Sequence, residues 1–277
     1  MKEIAKDIFI ENSYAGVILG VVRTAHGLIM IDAPFRLDDI KAWKTALDGI
    51  GGGPERVLVN LDTHLDRTLG VKHMDSMVIT HQKAVSMIKS RPNAAKAQEM
   101  EALAMYESYD GFSNIRWLPP EINFQQNLML EWGSHHVLLE HHAGSNAAGI
   151  WAIIPDQKVI FVGDSVLVAQ PPFLAFSDLT AWLEDLKLLT SAKYKNYQIV
   201  SGRDGVITIE DVREMAKQLR SIQRYVNQVH EKGADTETLL TIAGKLMKFY
   251  ENQPQNQEIY LNRLRWGLTS YCELHKE

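Results

Sequence analysis

Asn60-Leu61-Asp62-Thr63-His64-Leu65-Asp66-Arg67-Thr68-Leu69-Gly70 is the stretch on which the reading of this chain turns. Residues 56–61 form a short, mostly apolar run, as a strand buried on both faces should, and the run ends at Leu61. Asp62, His64 and Asp66 follow at alternate positions. A tight loop after a strand lets such side chains converge on one point. Carboxylates beside an imidazole suit zinc, iron or manganese. A merely solvated polar loop has the same composition, so the rest of the chain must decide.

Three more segments repeat the pattern. Glu140-His141-His142-Ala143-Gly144-Ser145 follows an apolar run at 136–140. Residues 159–162 run into Gly163-Asp164-Ser165, and Ile199-Val200 runs into Ser201-Gly202-Arg203-Asp204-Gly205. All four segments sit at the ends of short apolar strands, where loops carried by a rigid scaffold present functional groups.

The surroundings give the fold class. Residues 7–10, 16–22 and 28–31 read as strands. Leu37, Ile40, Trp43, Leu47 and Ile50 recur at helical spacing until Gly51-Gly52-Gly53-Pro54. A strand is expected at 78–80, then helices over 82–88 and 95–109, separated by Arg91-Pro92-Asn93. Short strands follow at 122–124, 128–131, 136–140, 149–154 and 159–162. Leu179, Trp182, Leu183, Leu186 and Leu189 mark an amphipathic helix, and 197–200 reads as a last strand before a loop. From Thr208, whose pairing with Asp211 resembles a capping box, only helices are expected: one toward Lys232-Gly233, then 236–250 and 257–274 around Pro254. This order suits a layered α/β sandwich with two sheets inside and helices outside.

With these motifs in hand, the chain resembles the metallo-β-lactamase superfamily over roughly residues 7–205. The family's His-x-His-x-Asp-His signature is met by Asp62-Thr63-His64-Leu65-Asp66-Arg67. Its later His-x-x-Gly-Ser is met by His141-His142-Ala143-Gly144-Ser145, its strand-Gly-Asp by Phe161-Val162-Gly163-Asp164, and its final Gly-His-Gly-like loop by Gly202-Arg203-Asp204-Gly205. Asp32 matches an early strand that ends in Asp. The resemblance implies a four-layer αββα sandwich over residues 1–230, with a helical extension over 231–277 packed on it, and a site at the four strand ends.

The departures are as informative. By the resemblance, Asp62, His64 and His141 stand where the first metal's ligands would be. Asp66, Arg67, Asp164 and Arg203 stand at the second. An arginine has no lone pair for a metal, so an ordinary second site is not expected. Two guanidinium groups restore about the +2 charge that a missing divalent ion leaves, and each can grip a carboxylate through two bonds. Arg203, with Arg67 beside it, is therefore expected to pair with Asp66 or Asp164. The rival reading has these arginines gripping an anionic substrate.

The leading functional expectation is a small-molecule hydrolase with at most one divalent ion, zinc by default and iron or manganese otherwise. Asp62, His64 and His141 would hold the ion, with Asp164 as a fourth ligand. Asp66 would act on the bound water, and Asp164 and Arg203 would complete the catalytic group. The alternatives are a metal-free binding or scaffold protein and a mononuclear iron enzyme of oxygen chemistry. His142 would replace His141 if the register slipped by one. Pro171-Pro172-Phe173 reads as a pocket wall or as a plain loop.

The formal charge of −5 and the absence of a long Lys/Arg run argue against nucleic acid as partner. No apolar run approaches the ~20 residues of a membrane helix. The charged residues 1–7 do not resemble a signal peptide, and the lone Cys272 excludes an internal disulfide, so a cytoplasmic home is expected. The apolar tail residues Ile259, Leu261, Leu264, Trp266 and Leu268 are expected to cover the sandwich, lid the pocket or form a homodimer seam.

Overall fold

Short runs of branched apolar residues, punctuated by Gly, Asn and Asp, build two sheets. The computed structural model describes residues 1–91, 117–232, 236–250 and 256–275. The helix expected over 95–109, the breakers Pro92 and Asn93, and the punctuating Gly233 and Pro254 lie outside the described residues.

The first sheet has seven strands in sequence order: β1 (Lys2–Ala5), β2 (Ile8–Glu11), β3 (Leu19–Arg23), β4 (Gly27–Ile31), β5 (Glu55–Val59), β6 (Met77–His81) and β7 (Ile122–Phe124). It is antiparallel from β1 to β4 and parallel from β4 to β7. The second sheet has six: β8 (Asn127–Trp132), β9 (His135–His141), β10 (Ile150–Ile154), β11 (Val159–Phe161), β12 (Gln198–Ser201) and β13 (Gly205–Ile207), in the order β13-β12-β11-β10-β9-β8. Only β11 and β12 pair parallel there.

Strand periodicity assigns the layers. Ile29, Ile31, Val57 and Val59 face inward and meet Val137, Leu139, Ile150, Ala152 and Phe161 of the second sheet. Leu28, Met30 and Leu58 face the other way, under Ile40, Trp43 and Leu47 of helix α1 (Leu37–Gly49). Two more helices belong to this half, the single turn α2 (Leu65–Thr68) and α3 (Gln82–Ser90). On the far side, Trp151, Ile153, Ile160 and Ile199 carry α4 (Leu179–Leu189), α5 (Ile209–Lys232), α6 (Thr236–Leu246) and α7 (Gln257–Leu274). The result is the expected αββα sandwich.

Local signals account for the helix starts. Asp178 caps α4 by accepting from the Thr180 and Ala181 amides, both at 3.0 Å. Thr208 and Asp211 exchange the reciprocal bonds expected of a capping box at the start of α5.

Three local readings are corrected. Residues 2–5, read from sequence only as a charged start, form the outermost strand β1, which pairs with β2 while its side chains stay largely exposed. The strand read at 197–200 as the last is followed, beyond its loop, by β13, too short to show alternation. Strand β7 joins β6 in the first sheet rather than the run of strands that follows it. No described helix is long and apolar enough to cross a membrane.

The C-terminal helices share one core with the sandwich. Leu264 and Leu268 of α7 are fully buried in the same cluster as Trp151 and Trp182. Leu264→Ala should therefore lower the stability of the whole protein by roughly 2–5 kcal/mol, seen as a shifted midpoint of a single urea transition. A separate early transition, with the main one unmoved, would mean that α7 is an appendage.

Candidate functional site

The site lies where strand ends of the two sheets meet. From the first sheet, Asp32 follows β4 in the left-handed region (φ 59°), a conformation Asp tolerates better than most residues. Its Oδ1 accepts from the Leu61 amide at 3.0 Å, which ties two strand ends together. After β5, Asp62 Oδ1 accepts from the His64 amide at 2.9 Å, a local turn that launches α2. That single turn aims Asp66 and Arg67 inward. From the second sheet, Gly163 turns the chain after β11 (φ 56°) to deliver Asp164, and Ser201-Gly202 after β12 delivers Arg203. Gly202 donates to the Gly163 carbonyl at 2.7 Å.

Side chains from both sheets interlock there. Arg203 grips Asp66 with Nη1 at 2.6 Å and Nη2 at 3.2 Å, and its Nε donates to Asp164 Oδ2 at 2.9 Å. Arg67 pairs with Asp32 through Nη1 and with Asp164 Oδ1 through Nη2, and its Nε lies 3.0 Å from Asp62 Oδ1. His64 Nδ1 lies 3.0 Å from Asp62 Oδ1 and 3.2 Å from Asp164 Oδ2. The expected pairing of arginines with Asp66 and Asp164 is thus present, and both arginines take part. Their side chains are 0% and 3% exposed, so neither is placed to grip a substrate.

Burial and charge compete at every group. Burial dominates at Asp32 and pushes its carboxyl up to about 6 despite Arg67. At Asp62 burial is outweighed by Arg67 and His64, which hold it well below the usual carboxylate range. Asp164 is likewise lowered, with Arg203 and Arg67 overcoming burial. His64 is raised, because Asp62 and Asp164 outweigh its burial.

The segment around His141 behaves differently from its expected role. His141 stacks on His81 (3.6 Å between centroids), and its Nε2 meets the Ala147 carbonyl at 3.0 Å. It is not part of the Asp62–His64–Asp164 group, the one such potential ligand cluster among the described residues. Nor is His142, which lies stacked on Trp151 with Nδ1 2.7 Å from Asp185. Gly144 and Asp185 explain this. A Cβ on Gly144 would come within 2.3 Å of the Trp182 backbone, so the loop packs tightly on α4, and the Asp185 carboxylate of α4 draws His142 toward the helix. No motif in the sequence marks Asp185 as that partner.

Beside the network lies a narrow cleft of about 20 Å3, lined by Thr63, His64, Leu65, Asp66, Asn146, Phe173, Phe176 and Trp266 among others. Phe173 packs on His64 at 4.6 Å, so the Pro171-Pro172-Phe173 segment does wall a pocket. Trp266 comes from α7 and meets Phe176 edge to face. Arg263 of α7 anchors the segment by donating to Gln170 and the Pro171 carbonyl at 2.8 and 3.1 Å.

Solved structures share this architecture. A metallo-β-lactamase family protein from Thermus thermophilus superposes with a TM-score of 0.65 at 15% identity, covering 94% of each chain. The chain has the metallo-β-lactamase fold. A metallo-β-lactamase from Pontibacter korlensis matches at TM-score 0.61 and 17% identity, over 79% of this chain and 97% of its own. The DIM-1 metallo-β-lactamase matches at 0.62 and 14%, over 80% and 96%. No family model and no curated protein matches the sequence.

The metallo-β-lactamase fold leads one to expect metal here, and the donor set answers unevenly. Asp62, His64 and Asp164 each bring a donor atom within 4.8 Å of the others. His64 Nδ1 is buried without a well-directed hydrogen bond although two carboxylate oxygens flank it. Beside Arg67 and Arg203, the buried Arg263 is a third cation within electrostatic reach of Asp66 and Asp164, so donor geometry rather than a charge deficit bears on an ion. One ion therefore fits. A second does not, because Arg203 takes both oxygens of Asp66, and no other potential ligand cluster stands among the described residues.

Local geometry here generates two tests. A Cβ on Gly202 would lie 2.2 Å from Arg67 Nη2 and 2.9 Å from the Gly163 backbone. Gly202→Ala should cost about 1–3 kcal/mol in urea denaturation, and an unchanged midpoint would show that the loop yields freely. For His142, burial opposes its charge, but Asp185 and Glu140 raise it above the ordinary 6.5. Its stabilisation is then complete below 6.5 and lost as pH rises through the folded value. Wild type should weaken between pH 6 and pH 9 more than His142→Gln does, and parallel pH profiles would refute this.

Proposed function

We propose that the chain is a metal-dependent hydrolase of a small molecule, working with a single ion held by Asp62, His64 and Asp164. The observation that carries the reading is the convergence of His64 Nδ1, Asp62 Oδ1 and Asp164 Oδ2, with the nitrogen 3.0 and 3.2 Å from the two oxygens. Two oxygens and one nitrogen make zinc the default and leave iron or manganese as alternatives. When bound, the ion would supply Lewis acidity and an acidified water. His141, expected from sequence as a ligand, has no part in it.

The chain's own residues divide the remaining work. Phe173, Phe176 and Trp266 form an aromatic wall for the apolar part of the substrate. Arg203 keeps Asp66 and Asp164 in place as a positioning residue. Asp66 is fully buried with both oxygens held by Arg203, so it orients rather than acts as general base. A substrate that depends on arginine for its recognition is disfavoured, since both guanidinium groups are turned inward.

The competing reading is a metal-free binding protein in which a protonated His64 closes the network, and the two arginines favour it. Elemental analysis of protein purified without affinity metal or chelator separates the two, with His64→Ala as control. About one equivalent of zinc, iron or manganese, lost in the control, is the expected result, together with His64-dependent turnover in a screen of chromogenic esters, thioesters and cephalosporins. No ion bound, and none taken up on reconstitution, would end the hydrolase reading.

A further inference from the structure

We propose that Arg203 and Arg67 are a permanent, protein-supplied replacement for a second metal ion, so that this centre cannot bind two. The inference concerns the second position only and stands whether or not an ion is held at Asp62, His64 and Asp164.

Three observations carry it. First, Arg203 chelates: two nitrogens take the two oxygens of Asp66 while the third takes Asp164. Second, Asp164 bridges, giving Oδ1 to Arg67 and Oδ2 to Arg203, so one carboxylate is shared between two fixed cations. Third, the backbone is shaped around these side chains. A Cβ on Gly202 would lie 2.2 Å from Arg67 Nη2 and 2.9 Å from the Gly163 backbone, so a side chain there would collide with both. A surface arginine that had merely swung inward would not require a glycine on a different strand end.

The exchange has a chemical consequence. A guanidinium supplies charge and hydrogen bonds but no open coordination position, so it can hold carboxylates without carrying water. It also stays charged at any pH the protein survives, because the surrounding aspartates outweigh burial and raise both arginines further. Removing one should leave carboxylates that are buried, uncompensated and in reach of a soluble cation.

The test uses the full chain, treated with chelator and then given excess zinc or manganese, with metal content and thermal melting as readouts. Wild type should take up one ion or none. Arg203→Ala, or Arg203→Gln if the alanine variant does not fold, should melt about 10 °C lower in chelator. Zinc or manganese should recover much of that loss, and adding Asp66→Ala should abolish the recovery. Two ions in wild type would overturn the proposal. So would an Arg203 variant as stable as wild type in chelator, or one whose lost stability no metal restores.

Discussion

The structure depends on a reciprocal exchange of arginines across the seam between its two sheets. Arg67, carried by the first sheet, reaches Asp164 of the second, and Arg203, carried by the second, reaches Asp66 of the first. Each arginine also bonds within its own half, to Asp32 and to Asp164. The apolar faces of the sheets press together without direction. This clasp adds direction at one edge, setting how the strand ends meet and therefore where every loop of the site lies.

Such a clasp is costly as well as useful. Desolvating six charged groups opposes folding, and buried ion pairs often gain less than that cost. The arrangement holds because the bonds are shared: Asp164 serves both arginines, and Asp32 also accepts a backbone amide. His64 both touches the network, with Asp62 and Asp164 beside its Nδ1, and lines the pocket.

The C-terminal helix joins this centre to the rest of the protein. Helix α7 is buried against the second sheet's helical layer through Leu264 and Leu268, while Trp266 reaches the pocket and Arg263 pins the segment that carries Phe173. One face of the helix stabilises and its flank shapes the cavity, so packing and ligand access are coupled through a single element.

Local pattern was enough for much of this. The alternation of β4 and β5, the helical spacing of α1 and α4, and polar residues placed after short strands made the sandwich and the site's position readable from Asp62, His64, Asp66, Asp164 and Arg203 alone, because burial periodicity and strand-end chemistry are written within a few residues. The opposition of arginine to aspartate was readable as well, since charge must balance wherever it is buried. What only the tertiary structure decided were relations between distant segments. His141 is drawn away from the cluster because Gly144 packs on α4 and Asp185 captures the neighbouring His142, 43 residues away in sequence. Arg67 reaches Asp32 and Asp164 at two other strand ends, and Trp266 is one wall of the pocket. In each case the side chain's partner lies on another element, and a sequence records the identity of a residue but not the direction in which the fold turns it.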